Sequence, residues 1–334
     1  MFWFKKKRKI EGEDFLNGVT DIHCHLLPGV DDGFNSLSSS FELLRMEEEV
    51  GVKRIYFTPH AMGENGAVVD PLSFKNENKS KTHHSHKVSK YHENGDSQNF
   101  KGEFVKKNND INAISEDLDK LKREIEEKKI VSSVVNQAYN ELEYDSIDLL
   151  QEFKKERIGG YSDSHLTRKF EYFKKMYNGQ IDIRLAAEYM MNKEFLDKVK
   201  NRDLLTYADG HHVLVETSYF FPPLEMDEIL YTLKIEGYSP ILAHPERYKY
   251  MTRDNYESLK EKGIEFQLNY LSLTGYYGKN VLTRALDLLD SGMYEYTGSD
   301  YHRTSTFSHH AYKLSLNRRR TEAFIKLFEN NEKL

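Results

Sequence analysis

Seven short runs rich in β-branched and aromatic residues recur along this chain, at 19–23, 52–58, 181–188, 212–216, 238–244, 264–269 and 293–300. Each is followed, sooner or later, by a stretch with helical spacing. The first of these has Ser36 in N-cap position before Leu37, Phe41 and Leu44 and stops at Gly51. The others are expected at 168–177, 195–199, 224–235, 255–262, 281–289 and 312–328. Strands that alternate with helices predict a parallel sheet covered by helices, so the expected class is α/β. Closed into a TIM-like barrel, such a chain carries its chemistry at the C-terminal ends of its strands.

Those ends share a property. The first strand runs into Asp21-Ile22-His23-Cys24-His25, a Pro28-Gly29 turn and Asp31-Asp32-Gly33; the second ends on His60, the third on Glu188, the fourth on Glu216, the fifth on His244, and the seventh on Asp300 with His302. Only the sixth, ending at Asn269, lacks an obvious metal ligand. An isolated His244 is more often a structural histidine, and an isolated Glu216 a surface charge. Six of seven strand ends filled alike reverse that reading. With Asp32 counted, His23, His25, Asp32, His60, Glu188, Glu216, His244, Asp300 and His302 are too many donors for one ion, and they suffice for two or three. Mixed imidazole and carboxylate suits Mn, Fe or Zn. Clustered divalent ions generate a nucleophile at neutral pH and neutralise phosphoryl charge, so the expected reaction is hydrolysis of a phosphate ester. Arg247, three residues past His244, is placed on the loop at the mouth, where its guanidinium fork suits two phosphate oxygens. The bland reading of Arg247 is a salt bridge with Glu246.

Composition narrows the rest. The length of 334 residues allows one large domain with an addition. A net charge of −6 provides no field that draws nucleic acid. Cys24 is the only cysteine, which excludes an intrachain disulfide and fits a reducing cytosol; it is read as buried apolar filler. No run of about 18 apolar residues exists, so no helix is expected to span a membrane. The tail at 1–17 begins with three aromatics and a basic run. A disordered, solubilising tail is the favoured reading, and a peripheral membrane contact through residues 2–9 the alternative. Residues 64–165 break the rhythm and read as an insertion of about 100 residues after strand 2, since a structureless loop that long is unusual inside a compact domain. Its 64–110 part has the composition of disorder, and amphipathic helices are expected within 111–158. His83, His84 and His86 lie in the polar part and are set apart from the catalytic centre. The barrel then comprises 18–63 and 166–334.

Asp21-x-His23-x-His25, Asp31-Asp32-Gly33, Thr58-Pro59-His60, Ala186-Ala187-Glu188-Tyr189, Val215-Glu216-x-Ser218, Ala243-His244-Pro245-Glu246-Arg247-Tyr248 and Ser299-Asp300-Tyr301-His302, in that order, closely resemble the PHP (polymerase and histidinol phosphatase) superfamily. Within it the chain is similar to the bacterial capsule- and exopolysaccharide-associated, manganese-dependent protein tyrosine phosphatases. The resemblance covers roughly 18–62 and 166–330 and implies a distorted (β/α)7 barrel of the PHP type holding Mn2+. By that resemblance His23, His25, Glu188 and Asp300 hold one ion. Glu188 bridges to a second with Glu216 and His244, and Asp32, His60 and His302 hold the third. Asp32 is preferred to Asp31 because the family ligand directly precedes the glycine. The implied mechanism is attack on phosphorus by a metal-activated hydroxide, with Arg247, Glu188 and Asp300 as catalytic residues and Arg247 binding phosphate. Arg303 is the nearest candidate for a second phosphate-binding arginine. The implied partner is a phosphotyrosine protein, a tyrosine kinase attached to the inner membrane. The expected location is cytoplasmic, with the inner-membrane periphery as an extension. The 64–165 insertion has no counterpart in this family pattern. Three alternatives stay open: a histidinol phosphatase or other small-molecule phosphatase, a nuclease-type PHP module, and a binding module with a degenerate site. The aromatic stretch Tyr219-Phe220-Phe221-Pro222-Pro223 favours the tyrosine-phosphatase branch.

Overall fold

A computed structural model describes residues 15–61, 163–310 and 313–334, all within one compact unit made of Met1–Val68 and Glu152–Leu334. The helices expected within 111–158, the His83–His86 cluster and the basic run at 2–9 lie outside the described residues. Residues 15–17, assigned to the tail, begin the packed body instead. Phe15 is buried, with its ring 5.7 Å from that of Tyr270 and 5.5 Å from that of Phe324. The C-terminal helix supplies the aromatic surface that holds it.

The elements run β1 (Thr20–Cys24), α1 (Leu37–Glu49), β2 (Arg54–Phe57), α2 (Asp163–Met176), β3 (Asp182–Leu185), β4 (Glu188–Met190), α3 (Lys193–Asn201), β5 (His212–Glu216), α4 (Met226–Ile235), β6 (Ser239–Ala243), α5 (Arg253–Glu261), β7 (Glu265–Asn269), α6 (Lys279–Asp290), β8 (Tyr296–Gly298), α7 (Thr304–His310) and α8 (Arg318–Asn331). Local chemistry sets the helix starts. The Ser36 hydroxyl accepts from the Ser39 amide at α1, and Thr252 and Asn255 form a reciprocal capping box at α5. Asn317 caps α8, so the C-terminal helix begins six residues later than the spacing predicts, and the short α7 precedes it.

All strand pairs are parallel, in two sheets ordered β1-β2-β3 and β4-β5-β6-β7-β8. The expected third strand, 181–188, is therefore two strands separated by Ala186 and Ala187. Pro59 accounts for the break. The Ala186 amide donates to Phe57 O, Glu188 N to Pro59 O and Ala61 N to Glu188 O. An unbroken ladder would next need an N–H from Pro59, which has none. On the other side β1 meets β8. Asp300 N donates to His23 O at 2.7 Å, His25 N to Tyr301 O at 3.0 Å, and Ser299 N to the buried Asp21 carboxylate at 3.0 Å. The two sheets thus resemble the PHP-type barrel. Ile22, Tyr56, Ala186, Tyr207, Leu214, Ile241, Ala243, Tyr296 and Leu334 form a buried cluster drawn from around the ring. Its tyrosines satisfy their hydroxyls: Tyr207 donates to Ile22 O and Tyr56 to Leu334 O. Below the site, then, is a packed core rather than a channel. Among the described residues no helix is long and apolar enough to cross a membrane.

Candidate active site

The strand ends bring all nine expected donors together. The contact between the first two rings says most about what they hold. His23 Nδ1 lies 3.0 Å from Gln267 Oε1. That oxygen also accepts from the His244 amide, while Gln267 Nε2 donates to Leu268 O, so the side-chain amide has one consistent orientation. His23 therefore carries a proton on Nδ1 and turns Nε2 inward. His25 is fixed the same way, its Nδ1 donating to Asp31 Oδ2 at 2.8 Å. The two inward Nε2 atoms face each other at 3.2 Å. Lone pair against lone pair is repulsive unless a proton or a cation lies between them.

Carboxylates complete the group. Glu188 Oε2 is 3.3 Å from both Nε2 atoms, and Asp300 Oδ1 is 3.4 Å from that of His23 and 3.3 Å from that of His25. Edges of this length enclose a centre about 2.0 Å from each atom, the length of a zinc–nitrogen or zinc–oxygen bond. Both Glu188 oxygens are buried without an aligned hydrogen-bond donor. The donor set therefore fits a divalent ion on geometry as well as on chemistry.

Two further groups gather, one at Glu188 and one at Asp32. His244 Nε2 approaches Glu188 Oε1 at 3.3 Å and Glu216 Oε2 at 4.0 Å. Asp32 Oδ1 lies 3.4 Å from His60 Nε2 and 3.3 Å from His302 Nε2, and the His302 Nδ1 donates to Asp300 O. His60 stands between the groups, because its Nδ1 is 3.3 Å from Glu188 and from Glu216. Sets of His/Asp/Glu atoms close enough to chelate an ion are His25–Asp32–His60–His302, His23–His244–Asp300, His23–His25–Glu188 and His60–Glu188–Glu216.

The electrostatics of the site call for added positive charge. Burial, together with the charge of Glu188, pushes the Glu216 carboxyl up to about 8. Burial opposes ionisation of Glu188, yet the imidazoles packed around it, His23 foremost, hold its carboxyl well below the usual range. Burial and the nearby Arg247 guanidinium lower His244 to about 4, which leaves a neutral imidazole suited to coordination.

Asp31 and Asp32, adjacent in sequence, do different work. Asp32, not Asp31, faces the ring nitrogens of His60 and His302. Asp31 accepts from His25 Nδ1, from the His60 amide at 3.1 Å and from the Gly33 amide at 2.9 Å. Gly33 is required there, since a Cβ would stand 2.4 Å from His25 O. Asp31→Asn is expected to weaken divalent-metal retention about 10–100-fold, the cost of losing a carboxylate that orients a histidine of a chelating set. Titrating activity with Mn2+ measures it, and an unchanged half-saturation point would rule the orienting role out.

Arg247 follows His244 on a 3-10 turn, Pro245–Arg247. Its Nη1 contacts Asp300 Oδ2 at 2.5 Å, and its guanidinium is clamped between the rings of Tyr219 at 4.6 Å and Tyr277 at 4.2 Å. Glu246, the suggested salt-bridge partner, points away. It is buried and accepts from Ser272 Oγ, Tyr294 OH and the Asn269 amide. His244 and Asp300, on either side of Arg247, adopt left-handed backbone with φ of 33° and 55°. Non-glycine residues there cost about 1–2 kcal/mol each, strain of a kind that concentrates at functional sites. Arg303 is exposed just before α7 and forms no ion pair among the described residues. Cys24 is buried, its Sγ 3.7 Å from Tyr301 O, and burial raises its thiol well above the ordinary value. It is filler, as expected.

Sequence reasoning missed the contribution of the sixth expected strand. Gln267 sets the His23 ring, and Asn269 Nδ2 donates to Asp300 Oδ2 at 3.1 Å and to Tyr277 OH at 3.0 Å. The available signal was the position of Asn269 at a strand end where every other strand carries a ligand.

Comparison with known proteins agrees with this geometry. The chain is 24% identical over 295 residues to the tyrosine-protein phosphatase YwqE of Bacillus subtilis, spanning 87% of this chain and 80% of that one. It is 23% identical over 286 residues to the putative tyrosine-protein phosphatase CapC of Staphylococcus aureus, spanning 85% and 77%. Its fold matches a chain from the crystal structures of YwqE from Bacillus subtilis and CpsB from Streptococcus pneumoniae, described as metal-dependent tyrosine phosphatases. That match has a TM-score of 0.55 and 18% identity and covers 94% of this chain and 86% of that one. The family model for capsular polysaccharide synthesis, CpsB/CapC, matches residues 19–111 and 153–323, so the family pattern extends further into the expected 64–165 insertion than the motifs indicated. With that match across most of its length, and with the resemblance read from its motifs borne out, this chain belongs to the capsular polysaccharide synthesis CpsB/CapC family.

Proposed function

We propose that this chain is a metal-dependent phosphomonoesterase that acts as a protein-tyrosine phosphatase. The observation that carries the reading is the inward pair of His23 and His25 lone pairs, 3.2 Å apart and faced by Glu188 and Asp300, beside a guanidinium held between two tyrosine rings. In this reading His23, His25, Glu188 and Asp300 hold one divalent ion, and Glu188, Glu216 and His244 a second. Asp32 and His302 hold a third with His60. Manganese is the proposed metal. Bound ions of this kind supply a nucleophile at neutral pH and neutralise charge on the phosphoryl group.

The chain's own residues do the rest. Arg247 binds phosphate oxygens with the N–H groups that Asp300 does not use, and the Tyr219 and Tyr277 rings hold its plane. The oriented His23 and His25 rings and their Gln267 and Asp31 partners keep the ligand atoms in place without reorganisation at each turnover. Phe220, Phe221 and Leu224, exposed on the loop after Glu216, offer apolar contact to a phenyl ring and flanking peptide. Arg303, exposed beside His302, is the second phosphate contact. The proposed substrate is a phosphotyrosine protein, a tyrosine kinase attached to the inner membrane, and residues 2–9 provide the contact with that surface. Deleting residues 2–9 is expected to shift the protein out of the membrane fraction, and unchanged fractionation removes that contact from the proposal.

The direct test compares a phosphotyrosine peptide with histidinol phosphate, before and after chelation and with Mn2+ restored. Hydrolysis of the peptide should stop on chelation, return with Mn2+ and be lost in His244→Ala. Equal rates in the two proteins, or preference for histidinol phosphate, would defeat the proposal.

A further inference from the structure

One hydroxyl at the rim of the active site keeps a proton that no protein group takes. After β7 the chain makes the 3-10 turn Tyr270–Thr274, and Gly275 and Gly278 follow in left-handed backbone with φ of 80° and 92°. Gly275 N donates to Ser272 O and Gly278 N to Gly275 O, so the loop curls and carries Tyr277 back to the end of the strand. The Tyr277 side chain is half-buried there, its ring centre 4.2 Å from the Arg247 guanidinium.

Asn269 fixes the sense of the hydroxyl. Its Oδ1 accepts from the Leu271 amide at 2.9 Å, so the side-chain amide has one orientation. One N–H of Nδ2 then goes to Asp300 Oδ2 at 3.1 Å and the other to Tyr277 OH at 3.0 Å. An amide nitrogen donates and does not accept, so the phenol oxygen is the acceptor in that contact and its own O–H points elsewhere. Asp300 does not compete for it. Asp300 Oδ2 is filled by Arg247 Nη1 and Asn269 Nδ2, and Oδ1 turns to His23 and His25. Among the described residues no acceptor takes the Tyr277 proton. Burial, against the pull of Arg247, raises the phenol above its ordinary value, so the proton stays on the oxygen at neutral pH.

We propose that Tyr277 is a further catalytic residue, whose hydroxyl donates a hydrogen bond to a non-bridging oxygen of the phosphoryl group that Arg247 binds. This rests on the phosphatase reading of the site and deepens it. Tyr277 then works twice, with its ring against the guanidinium and with its hydroxyl on the substrate. A neutral donor adds stabilisation of the anion without adding a charge that repels the proposed ions. Its proton is held more tightly than that of an ordinary tyrosine phenol, pKa about 10, so the group is a hydrogen-bond donor and not the acid for a departing phenolate. The rival role is bracing alone, in which the hydroxyl only steadies Asn269 and, through it, Asp300.

Tyr277→Phe removes the hydroxyl and keeps the ring. Calorimetric binding of inorganic phosphate to the Mn2+-loaded chain should weaken about 10–100-fold, the range for a hydrogen bond to a charged group. The kcat/KM values for p-nitrophenyl phosphate and for a phosphotyrosine peptide should fall together by about the same factor. Bound Mn2+ and Tm should match wild type. Unchanged phosphate affinity, or a fall explained by lost Mn2+, would overturn the proposal in favour of bracing. A loss confined to the peptide would overturn it by placing the hydroxyl at the leaving group. A wild type that binds phosphate but leaves the peptide intact would defeat the phosphatase reading, and the phosphate isotherms would still decide for or against Tyr277. A wild type that binds no phosphate would overturn both.

Discussion

Glu188→Gln is expected to reduce kcat/KM for a phosphotyrosine peptide by more than about 10³-fold, equivalent to about 4 kcal/mol of transition-state stabilisation. The size follows from position. One carboxylate meets His23, His25 and His60 through Oε2 and His244 through Oε1, all at 3.3 Å. Glutamine keeps the shape and removes the charge, so only one oxygen acceptor remains for two proposed ions. Loss of a carboxylate behind a ligand costs about 10–100-fold, and loss of the bridging group itself should exceed that. Bound Mn2+, measured by elemental analysis after desalting, should fall along with activity. A variant that keeps its metal and most of its rate would show that Glu188 is not the shared ligand.

Arg247→Ala is expected to lower kcat/KM by about 10²–10³-fold, the range for removing one preorganised donor to a developing oxyanion. Metal content should stay at the wild-type level. Arg247→Lys should recover little, because an ammonium neither forks across two oxygens nor stacks flat between the Tyr219 and Tyr277 rings. The alternative is that Arg247 acts only by fixing Asp300, with which it pairs at 2.5 Å. Metal loss in Arg247→Ala, with KM unchanged, would favour that alternative.

How much of this could be read before the fold was known differs from residue to residue. The helix start at Ser36, the strand 212–216 and the gathering of candidate donors from six of the seven expected strand ends were legible, because capping, alternation and strand termination are settled by neighbours in the chain. The split third strand was not, although its cause, Pro59, is visible in the sequence. The missing N–H matters only once the partner strand is known. Arg247 was expected at the mouth with the adjacent Glu246 as its bland partner, but Glu246 folds away to Ser272 and Tyr294 and Arg247 pairs with Asp300. Adjacency along a loop says little about which way two side chains point.

The sequence by itself determined that imidazoles and carboxylates would gather at one rim, since a parallel β/α chain delivers every strand end to the same face. It also carried enough motif to indicate the family. Only the tertiary structure decided which nitrogen of each ring faces inward, that Asp31 orients His25 while Asp32 joins His60 and His302, and that two tyrosine rings hold the guanidinium between them. The reason is reach. His23 takes its tautomer from Gln267, 244 positions away, and a contact of that range exists only after the strands have closed.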